Sequence, residues 1–243
     1  VANTDVRPGA GRILVLVHQA NAGVGHFDPV LAERGYTIDI VNLAEVSEGP
    51  DLADYQALLV MGGSPQVDQE DIHPWLVVEK QLMRDALEVD LPILGVCLGA
   101  QLLADITGGW VGQAPLRRRG WGDVRATEAA LTDPVFSRVP AHYRTLIWHA
   151  YEFKCPPNAT ELAHSTTSLQ AFRINDKRAW GVQYHPEVNP KEMAGWIAMI
   201  RAAGIEPESS INRWAGETEL YEDEQRVLAE QICSGFLDQV EKR

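Results

Sequence analysis

The order of apolar and polar positions divides the chain into two unlike parts. In the first, short uninterrupted aliphatic runs alternate with segments of helical period. Arg12–His18 (RILVLVH) is a run of the kind buried on both faces of a parallel sheet. Thr37–Leu43, Ala57–Met61 and Pro92–Val96 repeat the pattern. Between these runs, Asp28-Pro29 predicts a short helix with Asp28 as N-cap and Gly35 as stop. Trp75–Glu88 predicts a longer one. Leu98–Thr107 sets Leu98, Leu102, Leu103 and Ile106 on one stripe before Gly108-Gly109. Such alternation implies an α/β fold: a mostly parallel central sheet flanked by helices, with ligands beyond the carboxyl ends of the strands.

The pattern changes after Gly109. Val124–Ala130 and Arg144–His149 read as strands, and Gln170–Ile174 with Ala179–Tyr184 reads as a hairpin turned by Asn175-Asp176. This predicts a smaller antiparallel sheet region. Asn189, Pro190 and Glu192 then form a capping box. The helix they open buries Met193, Ile197 and Ile200 and ends at Gly204. From Glu206 onward the chain turns acidic and polar, then helical, with Leu228, Ile232, Phe236 and Val240 on one face. The expected organisation is one domain over residues 1–205 and a C-terminal helical extension, 206–243, packing on the same domain.

Candidate chemistry centres on the junction between the fourth strand and its helix. The sequence leaves one residue for that turn, Cys97, with Gly95 and Gly99 two positions away on either side. Small neighbours permit the sharp, strained turn of a nucleophile elbow. A helix N-terminus favours the thiolate, and the Leu98 N–H points at the same spot. Gly62-Gly63, at another strand end, offers a second backbone donor that can approach a ligand closely. His185 follows the Trp180–Tyr184 run, and Glu187 can fold back past Pro186 to orient its ring. Ser64 lacks both an elbow and an adjacent histidine, so it is discounted as a nucleophile.

Composition narrows the partners. The 243 residues carry a net charge of −13, against a nucleic-acid ligand. The one basic cluster, Arg117–Arg119, reads as a solvated loop. Three widely spaced cysteines form no disulfide framework and suit a reducing cytoplasm. No Cys or His pair has metal-ligand spacing, so neither metal nor cofactor is expected. The opening VANTDVRPGAG lacks an apolar signal core, and no apolar run approaches the ~20 residues that span a bilayer.

Four motifs together carry a family resemblance. GVCLGAQLLA at Gly95–Ala104, Gly62-Gly63, LAHSTTSLQAF at Leu162–Phe172 and WGVQYHPEV at Trp180–Val188 occur in the order of a class I (triad-type) glutamine amidotransferase. Stand-alone proteins similar to the amidotransferase domain of GMP synthase match best, over about residues 12 to 200. The resemblance implies a flavodoxin-like fold, Cys97 as nucleophile, His185 as base and Glu187 as orienting carboxylate. It places the oxyanion donors at Gly63 and Leu98 and substrate contacts at Gly62, Gln101 and His149. The implied reaction is hydrolysis of the glutamine side-chain amide through a γ-glutamyl thioester, with ammonia passed to a separate synthase or ligase. Two segments depart from the family pattern: GGSPQV, where Gly-Gly-Pro is usual, and WHAYEF, with Tyr151 where an acid is common. A γ-glutamyl amide or peptide hydrolase with the same triad, and a non-catalytic binding protein on this scaffold, are the alternative readings.

Overall fold

The structure, a computed structural model, describes residues 11–19, 23–46 and 49–242. The polar stretch at residues 1–10 lies outside them. Nine strands form a single mixed sheet: β1 (Gly11–Val17), β2 (Tyr36–Asn42), β3 (Ala57–Val60), β4 (Ile93–Val96), β5 (Val111–Ala126), β6 (His142–Phe153), β7 (Ala159–His164), β8 (Leu169–Ile174) and β9 (Ala179–Val182). Their spatial order is β2-β1-β3-β4-β9-β8-β7-β5-β6. The first five of these run parallel, and from β9 onward each neighbour is antiparallel. The antiparallel region therefore continues the parallel sheet and does not stand apart from it.

Alternation along the inner strands explains the layers. In β1, Ile13, Val15 and Val17 face one cluster, while Leu14 and Leu16 face another. Helices α1 (Phe27–Glu33) and α6 (Glu222–Val240) cover the first face. Helices α2 (Trp75–Glu88) and α3 (Leu98–Ile106) cover the second. Continuous aliphatic runs are what a strand buried on both faces requires. A third cluster joins Leu146 of β6 to α4 (Pro190–Ala203) and α5 (Glu208–Leu220).

The helix ends follow their sequence signals with one exception. Asn189 caps α4 with a complete capping box, and Gly204 closes it in the left-handed conformation. The first helix, however, begins one residue before Asp28, so His26 occupies the N-cap and Asp28 lies in the first turn. There its charge still favours the helix N-terminus.

Two other expectations need correction. Arg117–Arg119 lies within β5 and is no solvated loop: the ribbon of β5 and β6 is far longer than Val124–Ala130 and Arg144–His149 implied, with a bulge between Gln113 and Arg118. The C-terminal segment holds two helices, where sequence periodicity showed one. In α6, Leu228, Ile232, Phe236 and Val240 are buried in the main core. Burying each such side chain fully contributes roughly 1.5–3 kcal/mol. Among the described residues, no helix is long and apolar enough to cross a membrane.

Candidate active site

Strands β1, β3, β4 and β9 lie side by side, so the residues after them meet at one rim of the sheet. After β4 the chain turns at Cys97 with φ 52° and ψ −103°, a strained conformation for a non-glycine residue. The turn depends on its glycines. A Cβ on Gly95 would lie 2.5 Å from the Gly99 carbonyl carbon, and one on Gly99 would lie 2.1 Å from the Val60 oxygen. Cys97 N–H donates to the Val182 carbonyl at 2.7 Å, which ties the elbow to β9. Leu98 opens α3, so its N–H has no intrahelical partner.

His185 is 3% exposed and Glu187 5%. The ring Nδ1 lies 2.8 Å from Glu187 Oε1, and Nε2 lies 3.3 Å from the Trp148 carbonyl oxygen. Both ring nitrogens thus face acceptors. Burial opposes a charged ring, but the charges of Glu187 and Cys97 prevail and hold the His185 pKa well above its ordinary value. Cys97 Sγ lies 3.6 Å from the same Trp148 carbonyl oxygen. A Cβ on Gly62 would fall 2.7 Å from His185 Cε1 and 3.3 Å from Cys97 Cβ. Cysteine and imidazole therefore both pack on Gly62, with too little room there for a methyl group.

Two cavities open from Cys97. One, of about 190 Å³, is lined by Gln66, Gln101, Arg117 and His149. The other, of about 290 Å³, is lined by His185, Trp196, Met199 and Ile205. Gly63, Ser64, Cys97, Arg119 and Trp148 border both. Gln101 donates to the Tyr151 carbonyl and to Gln183 Oε1, at 3.0 and 3.2 Å. His149 Nδ1 donates to the Tyr151 carbonyl at 2.9 Å, and its buried Nε2 has no partner. Burial drives the His149 pKa down to about 4, so near neutral pH the ring is neutral and Nε2 is a free acceptor. The Tyr151 hydroxyl donates to Asp68 at 3.1 Å.

A family model for class-I glutamine amidotransferases matches residues 28–199. The chain belongs to that family. A glutamine-hydrolysing GMP synthase subunit from Haloquadratum walsbyi is 34% identical over 132 residues, 54% of this chain and 65% of that protein. The GMP synthase of Spiroplasma kunkelii is 28% identical over 134 residues, 55% of this chain but 24% of its own. The chain thus spans less than two thirds of either relative. The glutamine amidotransferase-like protein YfeJ of Salmonella typhimurium is 27% identical over 191 residues, 76% of this chain and 80% of that one. A glutamine amidotransferase of Thermotoga maritima shares the fold at a TM-score of 0.83 and 23% identity, covering 96% of this chain and 99% of its own. Among the described residues, no group of three or more His, Cys, Asp or Glu is placed to hold a metal ion.

The structure places the candidate residues expected from sequence around the Cys97 turn and its two cavities, and it sets beside them other side chains that sequence reading missed. His18, after β1, places Nδ1 3.0 Å from the Gly62 carbonyl and Nε2 2.9 Å from Glu79. Gln225, fully buried on α6, donates to the His185 carbonyl and accepts from Thr145 at 3.0 Å. Arg119 forms an ion pair with Glu206 and lies 5.4 Å over the Trp148 ring. Only His18 carried a legible signal, as a histidine closing an apolar strand.

Proposed function

We propose that the protein hydrolyses the side-chain amide of glutamine through a γ-glutamyl thioester on Cys97, releasing glutamate and ammonia. The observation that carries this is the placement of His185: bonded to Glu187 through Nδ1, with Nε2 turned to the Trp148 carbonyl that Cys97 Sγ also faces, on the wall of a cavity that opens from Cys97.

Cys97 Sγ, its proton passed to His185, attacks the amide carbon, and the C=O electron pair moves to oxygen. The N–H groups of Gly63 and Leu98 hold that oxyanion. His185 gives a proton to the nitrogen, the C–N bond breaks and ammonia leaves. Water, deprotonated by His185, then cleaves the thioester. Glu187 keeps the ring oriented and offsets its charge. Gly62 lets the His185 ring sit close to Cys97, since any side chain there would press on both. In the polar cavity, the His149 Nε2 lone pair accepts from the α-ammonium group and Gln101 supports that wall. Arg117 also lines this cavity and suits the α-carboxylate.

Relatives named as parts of a GMP synthase support a separate ammonia-accepting enzyme as partner. Residues 206–243 act as an extension of the same domain, because α6 shares its core and its Gln225 bonds His185. Three unpaired cysteines fit a reducing compartment such as the cytoplasm.

Ammonia release from glutamine tests the reading. The wild-type protein is expected to release ammonia and glutamate in equal amounts, and Cys97→Ser to release neither. Turnover by Cys97→Ser at the wild-type rate would refute it.

A further inference from the structure

The cavity on the His185 side is far larger than departing ammonia requires. At about 290 Å³ it exceeds roughly tenfold the space of a molecule the size of water, about 30 Å³. His185 lines this cavity and not the polar one. The group that protonates the leaving nitrogen sets the side on which it departs, so this cavity receives whatever the nitrogen carries. Its outer wall is apolar, built of Trp148 from β6, Trp196, Met199 and Ile200 from α4, and Ile205 from the link to α5, while Gln19, Ser64, Arg119 and His185 line the side toward Cys97. The chain builds that wall itself. Trp148 packs edge-on against both Trp196 and Trp214, with ring centroids 5.6 and 4.7 Å apart. The cavity's arginine, Arg119, is already paired with Glu206, and His185 with Glu187. Met199 and Ile205 form a rim that is 48% and 57% exposed.

We propose that γ-glutamyl amides of apolar primary amines are substrates preferred to glutamine, their alkyl or arylalkyl group seated in this second cavity. This rests on the Cys97–His185 chemistry above. The steps balance as before: the C–N bond breaks, the His185 proton goes to the amine nitrogen, a primary amine leaves, and water cleaves the thioester. Each added methylene in an apolar pocket is worth about tenfold or more in specificity.

Steady-state kinetics on glutamine and its N-methyl, N-butyl and N-benzyl amides test this. The expected kcat/KM rises along the series to at least about tenfold above glutamine. Ala203→Trp, which fills the cavity from the exposed end of α4, is expected to lower the benzylamide-to-glutamine ratio at least about tenfold. A flat series, a preference for glutamine, or a ratio unmoved by Ala203→Trp would overturn the proposal and leave the glutaminase reading standing. No turnover of any member would overturn it too; labelling of Cys97 by a γ-glutamyl electrophile then decides separately whether that reading falls.

Behind the Gly62-Gly63 loop lies a buried ion pair that the triad does not use. The side chains of His18 and Glu79 are 2% and 0% exposed. Trp75 stacks on the His18 ring at 5.3 Å. Both Glu79 oxygens lie on Nε2, at 2.9 and 3.1 Å, and the Gly62 carbonyl lies on Nδ1. Each ring nitrogen faces an acceptor, so each carries a proton. A trans peptide unit is planar, with its C=O and N–H pointing in opposite directions. Gripping the Gly62 carbonyl therefore aims the Gly63 N–H.

We infer that His18 is a positioning residue that fixes the Gly63 N–H as an oxyanion donor, with Glu79 holding its ring in place. This rests on Gly63 serving as that donor. Asn can mimic Nδ1 of histidine and Gln can mimic Nε2. On a Glu79→Gln background, which avoids a buried unpaired carboxylate, His18→Asn is expected to keep kcat within about tenfold, while His18→Gln loses about a hundredfold, the scale of one oxyanion donor. Alkylation of Cys97 by iodoacetamide needs no oxyanion site, so its rate should match in both variants. Equal kcat in the two variants, or a parallel loss of alkylation rate, would overturn the inference.

Discussion

Strands β1, β3, β4 and β9 deliver His18, Gly62-Gly63, Cys97 and His185 from their carboxyl ends, each within three residues of the last strand position. Strands β5 and β6 deliver Arg117, Arg119, Trp148 and His149 from the interior of a long ribbon. The first group surrounds the Cys97 sulfur. The second forms the walls of the two cavities around it. A parallel sheet aligns its strand ends and so can bring together groups that must meet within bonding distance. An antiparallel ribbon offers alternate side chains along its length, which suits a binding surface. The division predicts that changes at the strand ends act on kcat, and that changes on the ribbon act on KM.

The largest effect should come from the elbow. Cys97→Ser is expected to lower kcat by about ten-thousandfold or more while the melting temperature stays close to wild type, as activity assays and calorimetry will show. Gly62→Ala comes next. Its new Cβ would press on the His185 ring and on Cys97, so a loss of about a hundredfold or more in kcat is expected with the fold retained. On the ribbon, Arg117→Ala should raise KM for glutamine about tenfold or more and leave kcat within a factor of about three. A loss confined to kcat there would break the division.

His149 gives a pH-dependent version of the same contrast. Its pKa falls from 6.5 to about 4 on folding, because burial penalises the charged ring. The unfolded chain therefore binds more protons between those values, and stability falls as pH drops from about 6.5 toward 4. Denaturant melts of His149→Gln should show a flatter slope across that window. His185 has the opposite sign. Its raised pKa contributes stability that is complete below 6.5 and is lost as pH climbs through the folded value. The smallest effect belongs to the α4 cap: Asn189→Ala should cost about 1 kcal/mol in denaturant melts without changing kcat.

The same two regions differ in how far their sequence could be read. The parallel half was legible because double burial forces uninterrupted aliphatic runs, and because a sharp elbow forces glycine at 95 and 99. Cys97, His185 and Glu187 stood out for that reason. The ribbon was legible only in fragments. Its strands are partly exposed, broken by a bulge, and carry arginines at 117–119 that resemble a loop. Helix α5 was missed because its apolar residues are sparse, with Ile211 and Trp214 buried against α4 and β6 and the rest mostly polar. Gln225 had no local signal. A polar residue in an amphipathic helix reveals a buried hydrogen bond only once tertiary packing brings His185 to it.

The central claim is that Cys97 forms an acyl intermediate with a γ-glutamyl group on the rim shared with His185. The direct measurement is intact-protein mass spectrometry after rapid acid quench of the enzyme with glutamine, followed by peptide mapping. The account predicts a γ-glutamyl adduct on Cys97 in the wild-type protein, and none on Cys155 or Cys233, whose thiols burial pushes up to about 11 and about 12. Turnover of glutamine with the adduct on another residue, or in a Cys97→Ser protein at the wild-type rate, would contradict it.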